Sequence, residues 1–143
     1  MESRIIKRNV ALVEKCAMSS VGIKSLFNTM PDDQYKLHIF SSQPAFSQVM
    51  LKTSFSAVIF SLSAIRTDRR AGLAYLTELA VNFPRIRRVV IADDDAEARL
   101  IGSLSPLPLD GVVSKSSSLT VLQNALFTAL NGPSRGTEGS KNH

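Results

Sequence analysis

A single cysteine, Cys16, excludes an intrachain disulfide and with it the stapled scaffolds of small secreted domains. A reducing, cytoplasmic setting is the expectation that follows. Tryptophan is missing altogether, and the few aromatic residues are not interleaved with the basic ones. That pattern argues against a stacking platform for single-stranded nucleic acid. Histidine is confined to His38 and His143. No zinc-finger spacing, basic-zipper pattern, GxGxxG or P-loop occurs, so neither those DNA-binding modules nor a nucleotide cradle is indicated. No apolar run approaches the roughly 20 residues that span a bilayer. The opening MESRIIKRNVALVEKC lacks the long apolar stretch of a secretory signal.

What is present suits one globular domain. The 143 residues are 44% hydrophobic, enough to bury a core without covalent staples. Lysine and arginine number 17 against 12 acids, a formal charge of +5. An excess of that size permits nucleic-acid contact without establishing it.

Apolar runs alternate with amphipathic segments from end to end. Strands are expected at Asn9–Val13, Lys36–Phe40, Ser56–Phe60, Arg87–Ala92 and Val112–Ser114. Helices are expected at Ala17–Thr29, Pro44–Leu51, Asp68–Asn82, Ala96–Ser103 and Leu119–Leu130. In the first helix Met18, Val21, Leu26 and Met30 are expected inside, with Ser19 and Ser20 starting it. In the third, Leu73, Leu76, Leu79, Ala80 and Phe83 form the inner side, and Pro84 stops it. In the last, Leu119, Leu122, Leu126, Ala129 and Leu130 form the stripe, with Gly132 and Pro133 ending it. Such alternation implies an α/β domain with a parallel sheet covered on both faces. Runs such as AVIF and VVIA support it, because parallel strands are buried on both sides. Residues 1–132 read as that domain, and the polar PSRGTEGSKNH of 133–143 as a flexible tail or linker.

Three segments carry a resemblance. NVALVEKCAMSSVGIKSLF is similar to the first strand, acidic loop and first helix of the receiver-like domains of NarL/FixJ (LuxR-type) bacterial transcription regulators, including its Gly22-Ile23 pair. FPRIRRVVIA resembles their fourth strand, and DGVVSKSSSLTVLQNALFTALNG their fifth strand, its lysine and last helix. The resemblance covers roughly residues 8–131. It implies a flavodoxin-like sheet of order 2-1-3-4-5. It also implies homodimers or heterodimers with an RcsB-like partner, and DNA contact only through a C-terminal helix-turn-helix domain that is not found in this chain.

By position, the same resemblance implies a degenerate phosphoacceptor pocket. The paired acids that hold Mg²⁺ become Glu14 and Lys15, and the acceptor aspartate becomes Ser61. The hydroxyl residue ending the fourth strand becomes Ala92, and the switch aromatic becomes Val112. The lysine is kept as Lys115. A serine hydroxyl has neither the charge nor the metal affinity of a carboxylate, and one carboxylate beside an ammonium is a poor Mg²⁺ site. Lys15 and Lys115 are expected to stand in part for the ion, neutralised by Glu14 or by an acid of Asp93–Asp95. No cofactor, no metal and no catalytic residue is expected, and the pseudo-receiver is expected to act by association without phosphorylation.

Other readings stand beside this one. Ser61 as a nucleophile needs an adjacent base, which the two histidines do not obviously supply. Asp93–Asp95 fits a solvated turn whose last acid caps the next helix, with a metal site as the alternative. Cys16, next to Lys15, reads as a small structural cysteine ahead of a reactive thiol. The groups Arg66, Arg69, Arg70 and Arg85, Arg87, Arg88 read first as solvated, with phosphate or an acidic partner as alternatives. Leu107, Val121 and Phe127 fall off the core stripes: any one of them reads first as packing under a neighbouring loop, while as a set they are candidates for a dimerising face, with the first helix as the other surface. A small-molecule sensor built around Glu14, Ser61 and Lys115, or a receiver with an unusual acceptor, are the alternative functions.

Overall fold

The computed structural model describes residues 8–29, 34–63 and 65–131. The tail at 133–143, Met30 and His143 lie outside the described residues. Ten elements follow in strict alternation: β1 (Arg8–Val13), α1 (Ala17–Asn28), β2 (Tyr35–Phe40), α2 (Gln43–Met50), β3 (Ala57–Ser61), α3 (Arg66–Asn82), β4 (Arg87–Ala92), α4 (Asp95–Leu104), β5 (Gly111–Ser114) and α5 (Leu119–Asn131). The strands form one parallel sheet of order β2-β1-β3-β4-β5, the flavodoxin-like arrangement expected.

Alternation along each strand sorts the core into two layers. Val10, Leu12, Ala57, Ile59, Val89, Ile91 and Val113 face α1 and α5. Ala11, Val13, Val58, Phe60, Val90 and Ala92 face α2, α3 and α4. The central strands are therefore dry on both faces, which is why they read as unbroken apolar runs. β2 is an edge strand and only half-buried.

The helix faces differ from expectation in two places. In α1 the buried residues are Ser20, Ile23, Leu26 and Phe27, while Met18 is 84% and Val21 67% exposed. At about 100° per residue Val21 lies roughly 140° around the helix from Leu26, whereas Ile23 and Phe27 flank Leu26 closely. Cys16, not Ser19 or Ser20, is the N-cap. In α5, Leu119 is 70% exposed because it opens the helix, and the contact begins at Leu122. Phe83 caps the end of α3 and is partly exposed rather than internal.

In the second arginine group Arg85 is exposed, but Arg87 and Arg88 are structural rather than solvated. Arg88 is buried, donating from its guanidinium to the carbonyls of Leu76 (3.3 Å) and Pro108. The Asp110 carboxylate accepts its backbone N–H at 2.8 Å. Burial pulls the Arg88 pKa below its ordinary value, and Asp110 opposes that shift. A buried charge is tolerated when its donors are matched in this way. Arg87, pointing to the other face, donates to the Ala129 carbonyl at 3.1 Å. Neighbouring arginines on one strand thus pin α3 and the α4–β5 loop on one side of the sheet and α5 on the other.

Gly111 makes a close approach possible: a Cβ there would sit 2.7 Å from the Ala129 Cβ of α5. Gly102, in α4, has open space around its missing Cβ. Gly111→Ala is expected to destabilise the fold by about 1–3 kcal/mol, and Gly102→Ala to stabilise it by up to about 1 kcal/mol. Chemical denaturation of the two variants checks this, and equal shifts would contradict the packing described.

Candidate functional site

Parallel strands deliver their carboxyl ends to one rim of the sheet, and in open α/β sheets ligands bind there. β1 ends into Glu14, β3 ends on Ser61, β4 ends on Ala92, and β5 leads into Lys115. A cleft of about 390 Å³ opens at this rim, bordered by Glu14, Lys15, Cys16, Ser61, Asp93 and Lys115. The cleft thus brings Glu14, Lys15, Ser61 and Lys115 together from remote parts of the chain, while Ala92 is fully buried and does not border it.

Glu14 is the buried acid of the site, 7% exposed. Its Oε1 lies 3.3 Å from the Lys115 ammonium, and its Oε2 accepts the Cys16 N–H at 3.0 Å. Oε1 has no hydrogen bond besides this ion-pair contact among the described residues. The Glu14 N–H donates to the Phe40 carbonyl at 2.9 Å, which fixes the loop. Lys115 is held from both ends: its N–H donates to the Ala92 carbonyl (2.9 Å), and its Nζ reaches the Ser19 hydroxyl at 3.4 Å. The buried acid is thus paired with a lysine whose side chain stays partly exposed at the cleft.

Lys15 does not join them. Its side chain is 81% exposed and meets Asp68 at 3.9 Å on the surface, a contact of little energetic weight. The expectation that Lys15 shares the ion's place is therefore corrected: Lys115 alone neutralises Glu14, because Lys15 follows the chain outward as it enters α1. The acids after β4 are also spent differently from expectation. Asp94, not the last acid, caps α4 by accepting the Glu97 N–H at 2.8 Å. Asp95 accepts the Ser116 hydroxyl at 3.5 Å, and Asp93 borders the cleft. Receiver domains hold Mg²⁺ at this rim, but these residues do not fit that ion. One oxygen of Glu14 faces an ammonium, the other an amide, and Ser61 offers the cleft a hydroxyl rather than a carboxylate. Among the described residues no three acids, histidines or cysteines group as metal ligands.

Ser61 is half-buried and borders the cleft, which no histidine lines among the described residues. His38 is in β2, hydrogen-bonded to Asn9 Oδ1 at 2.9 Å with its ring edge-on to Phe55, and it does not line the cleft. Burial, with Lys36 nearby, holds the His38 pKa below its ordinary value. Val112, expected at the switch position, is half-buried against the α2–α4 layer.

Of the interface candidates, Val121 is 55% exposed, Phe127 packs partly against the core, and Leu107 is half-buried. The exposed apolar residues of α1, Met18 and Val21, were expected inside and so were missed as surface. Gln123 of α5 donates to the Leu26 carbonyl and the Thr29 hydroxyl of α1, so the two helices share one side of the molecule. In the first arginine group, Arg69 is engaged in a two-pronged contact with Glu97 at 2.9 and 3.2 Å, largely out of water. It is thus not a solvated residue. Among the described residues no helix is long and apolar enough to cross a membrane.

Cys16 is exposed at the cleft mouth and fills no core position, which corrects the structural reading of it. The Ser19 amide, then its hydroxyl and the Met18 amide, hold the thiol pKa below the ordinary cysteine value, against a small opposing influence of burial and Glu14. Iodoacetamide is expected to alkylate Cys16 in the native fold faster than a free cysteine near neutral pH. A mass-spectrometric rate profile against pH measures it, and a midpoint at or above that of a free thiol would contradict the geometry.

No protein-family model matches the chain. The chain is 60% identical over 140 residues to the transcriptional activator protein BglJ of Escherichia coli K12, covering 98% of itself and 62% of BglJ. It therefore spans somewhat under two thirds of that relative's length. Among solved structures, the isolated receiver domain of RcsB from Salmonella enterica serovar Typhimurium, with a phosphomimetic, superposes at TM-score 0.72 and 18% identity, over 90% of this chain and 91% of that one. RcsB of the same organism bound to promoter rprA gives 0.70 at 20% identity, over 88% and 63%. A response regulator from Thermotoga maritima gives 0.70 at 10% identity, over 89% and 100%. The chain thus has the fold of receiver domains and is a relative of the transcriptional activator BglJ.

Proposed function

We propose that this chain is a pseudo-receiver of a LuxR-type transcription regulator, a module that associates with other proteins without being phosphorylated and catalyses nothing. The observation that carries the reading is the Glu14–Lys115 pair, 3.3 Å apart, at the rim where a receiver would hold its metal. With Ser61 and Ala92 at the acceptor and hydroxyl positions, the phosphoryl group has neither an acceptor carboxylate nor an ion to bridge it. Lys115 ties this pair to the Ala92 carbonyl and to Ser19 of α1, which supports a rim fixed in one state.

The partner is a second copy or an RcsB-like regulator, met through exposed apolar residues of α1 and α5. Met18, Val21, Leu119 and Val121 are each more than half exposed, more than a solvated helix pair needs. DNA is reached through a DNA-binding domain outside this receiver unit. A small-molecule sensor is the second reading, and the cleft favours it, since about 390 Å³ lies within the range of ligand pockets.

Light scattering separates the two. Mixing with an RcsB-like protein is expected to give a heterodimer that Mg²⁺ and beryllofluoride leave unchanged. Val21→Glu with Val121→Glu is expected to weaken it by roughly tenfold or more. Association that requires beryllofluoride, or a metabolite co-purifying in the cleft, would displace this reading.

A further inference from the structure

α3 begins against the ordinary electrostatics of a helix. Its N-cap, Ile65, supplies no side-chain acceptor, and Asp68 is the sole acid of the first turn. Arg66, Arg69 and Arg70 crowd the same end, where the backbone dipole already presents positive charge. Arg69 is matched by Glu97 of α4. Arg66 and Arg70 are exposed and have no acidic partner among the described residues. An arrangement that breaks a local rule without internal compensation points to a function outside the folded chain.

Beside these arginines runs a groove between α3 and α4 of about 740 Å³. Its floor and far wall are apolar: Leu73, Leu100, Leu104 and Pro106. Leu100 is 38% and Leu104 48% exposed, whereas α4 packs on the core through Ile101 and Ala98. The Arg69–Glu97 contact braces the two helices across the groove, so its width is set before anything binds. Apolar floor and cationic rim thus lie side by side on one surface.

We propose that the α3–α4 groove docks an acidic, amphipathic segment of a partner protein. The apolar side of that segment covers Leu100, Leu104 and Pro106, and its carboxylates meet Arg66 and Arg70. Charge complementarity selects an acidic occupant, and the leucines select a polypeptide over a nucleic-acid backbone, whose phosphates would use the arginines and leave the floor wet. The groove is separate from the α1 and α5 surface, and the inference does not rest on the association proposed there.

Fluorescence anisotropy on the full chain tests it with a labelled synthetic helix bearing leucines at i, i+3, i+4 and i+7 and glutamates elsewhere. Its counterpart has lysine at every glutamate. The acidic peptide is expected to bind at least about tenfold more tightly than the basic one and to weaken with salt. In ¹⁵N spectra the shifts are expected at Leu73, Leu100 and Leu104. Arg66→Glu with Arg70→Glu, and separately Leu104→Asp, are each expected to lower affinity about fivefold or more. Absence of binding, equal binding of both peptides, or shifts confined to other surfaces would overturn the proposal. So would a DNA duplex or a phosphatidylserine vesicle that moves the same amides more strongly than the acidic peptide. Circular dichroism checks the variants' fold; if one unfolds, the two-peptide comparison on the unaltered chain decides.

Discussion

Burial of β1, β3 and β4 on both faces governs where any chemistry in this molecule can sit. A strand that is dry on each side has no room for a polar side chain along its length. Polar groups are pushed to the strand ends, and since all the strands run the same way, the carboxyl ends gather them on one rim. Arg88 is the exception within the central strands. Its guanidinium is accepted there because carbonyls from α3 and the α4–β5 loop converge on it, with Asp110 alongside. The same requirement that empties the strands of charge makes that one buried arginine a clamp between layers.

The rim that results pairs its buried acid with a lysine. An unpaired buried carboxylate would be costly and would attract a cation; Lys115 supplies that cation from the neighbouring strand end. Lys15, one residue on from Glu14, is in water and paired only loosely with Asp68. The contrast with the start of α3 is instructive. At the rim Glu14 is paired with Lys115, whereas Arg66 and Arg70 are exposed with no acidic partner among the described residues.

The layers and order of elements were legible wherever the apolar pattern was strong. AVIFS and RRVVIA could be little other than central strands, and the Leu73, Leu76, Leu79 spacing fixed the inner face of α3. The pocket positions were implied by the resemblance to receiver-like domains, and the parallel register carries Glu14, Ser61 and Lys115 to one edge. α1 was misread because Met18 and Val21 are as apolar as Ile23 and Phe27, and only the docking angle of the helix chooses between two overlapping stripes. The arginines of β4 were misread because adjacent charges look solvated in sequence, while alternation sends Arg87 and Arg88 to opposite faces, each toward carbonyl acceptors. Asp94 rather than Asp95 caps α4 because capping depends on one residue's backbone angles, which three consecutive aspartates do not reveal.

The chain by itself determined its sheet, its layering and which residue types stand at the rim, since these follow from periodicity and from the chemistry of single side chains. Tertiary structure alone decided which charge neutralises which, which apolar residues of α1 remain outside, and that α3 and α4 leave an apolar groove under unpaired arginines. Those outcomes depend on distances between elements remote in sequence, where a rotation of one residue's worth exchanges a buried side chain for an exposed one.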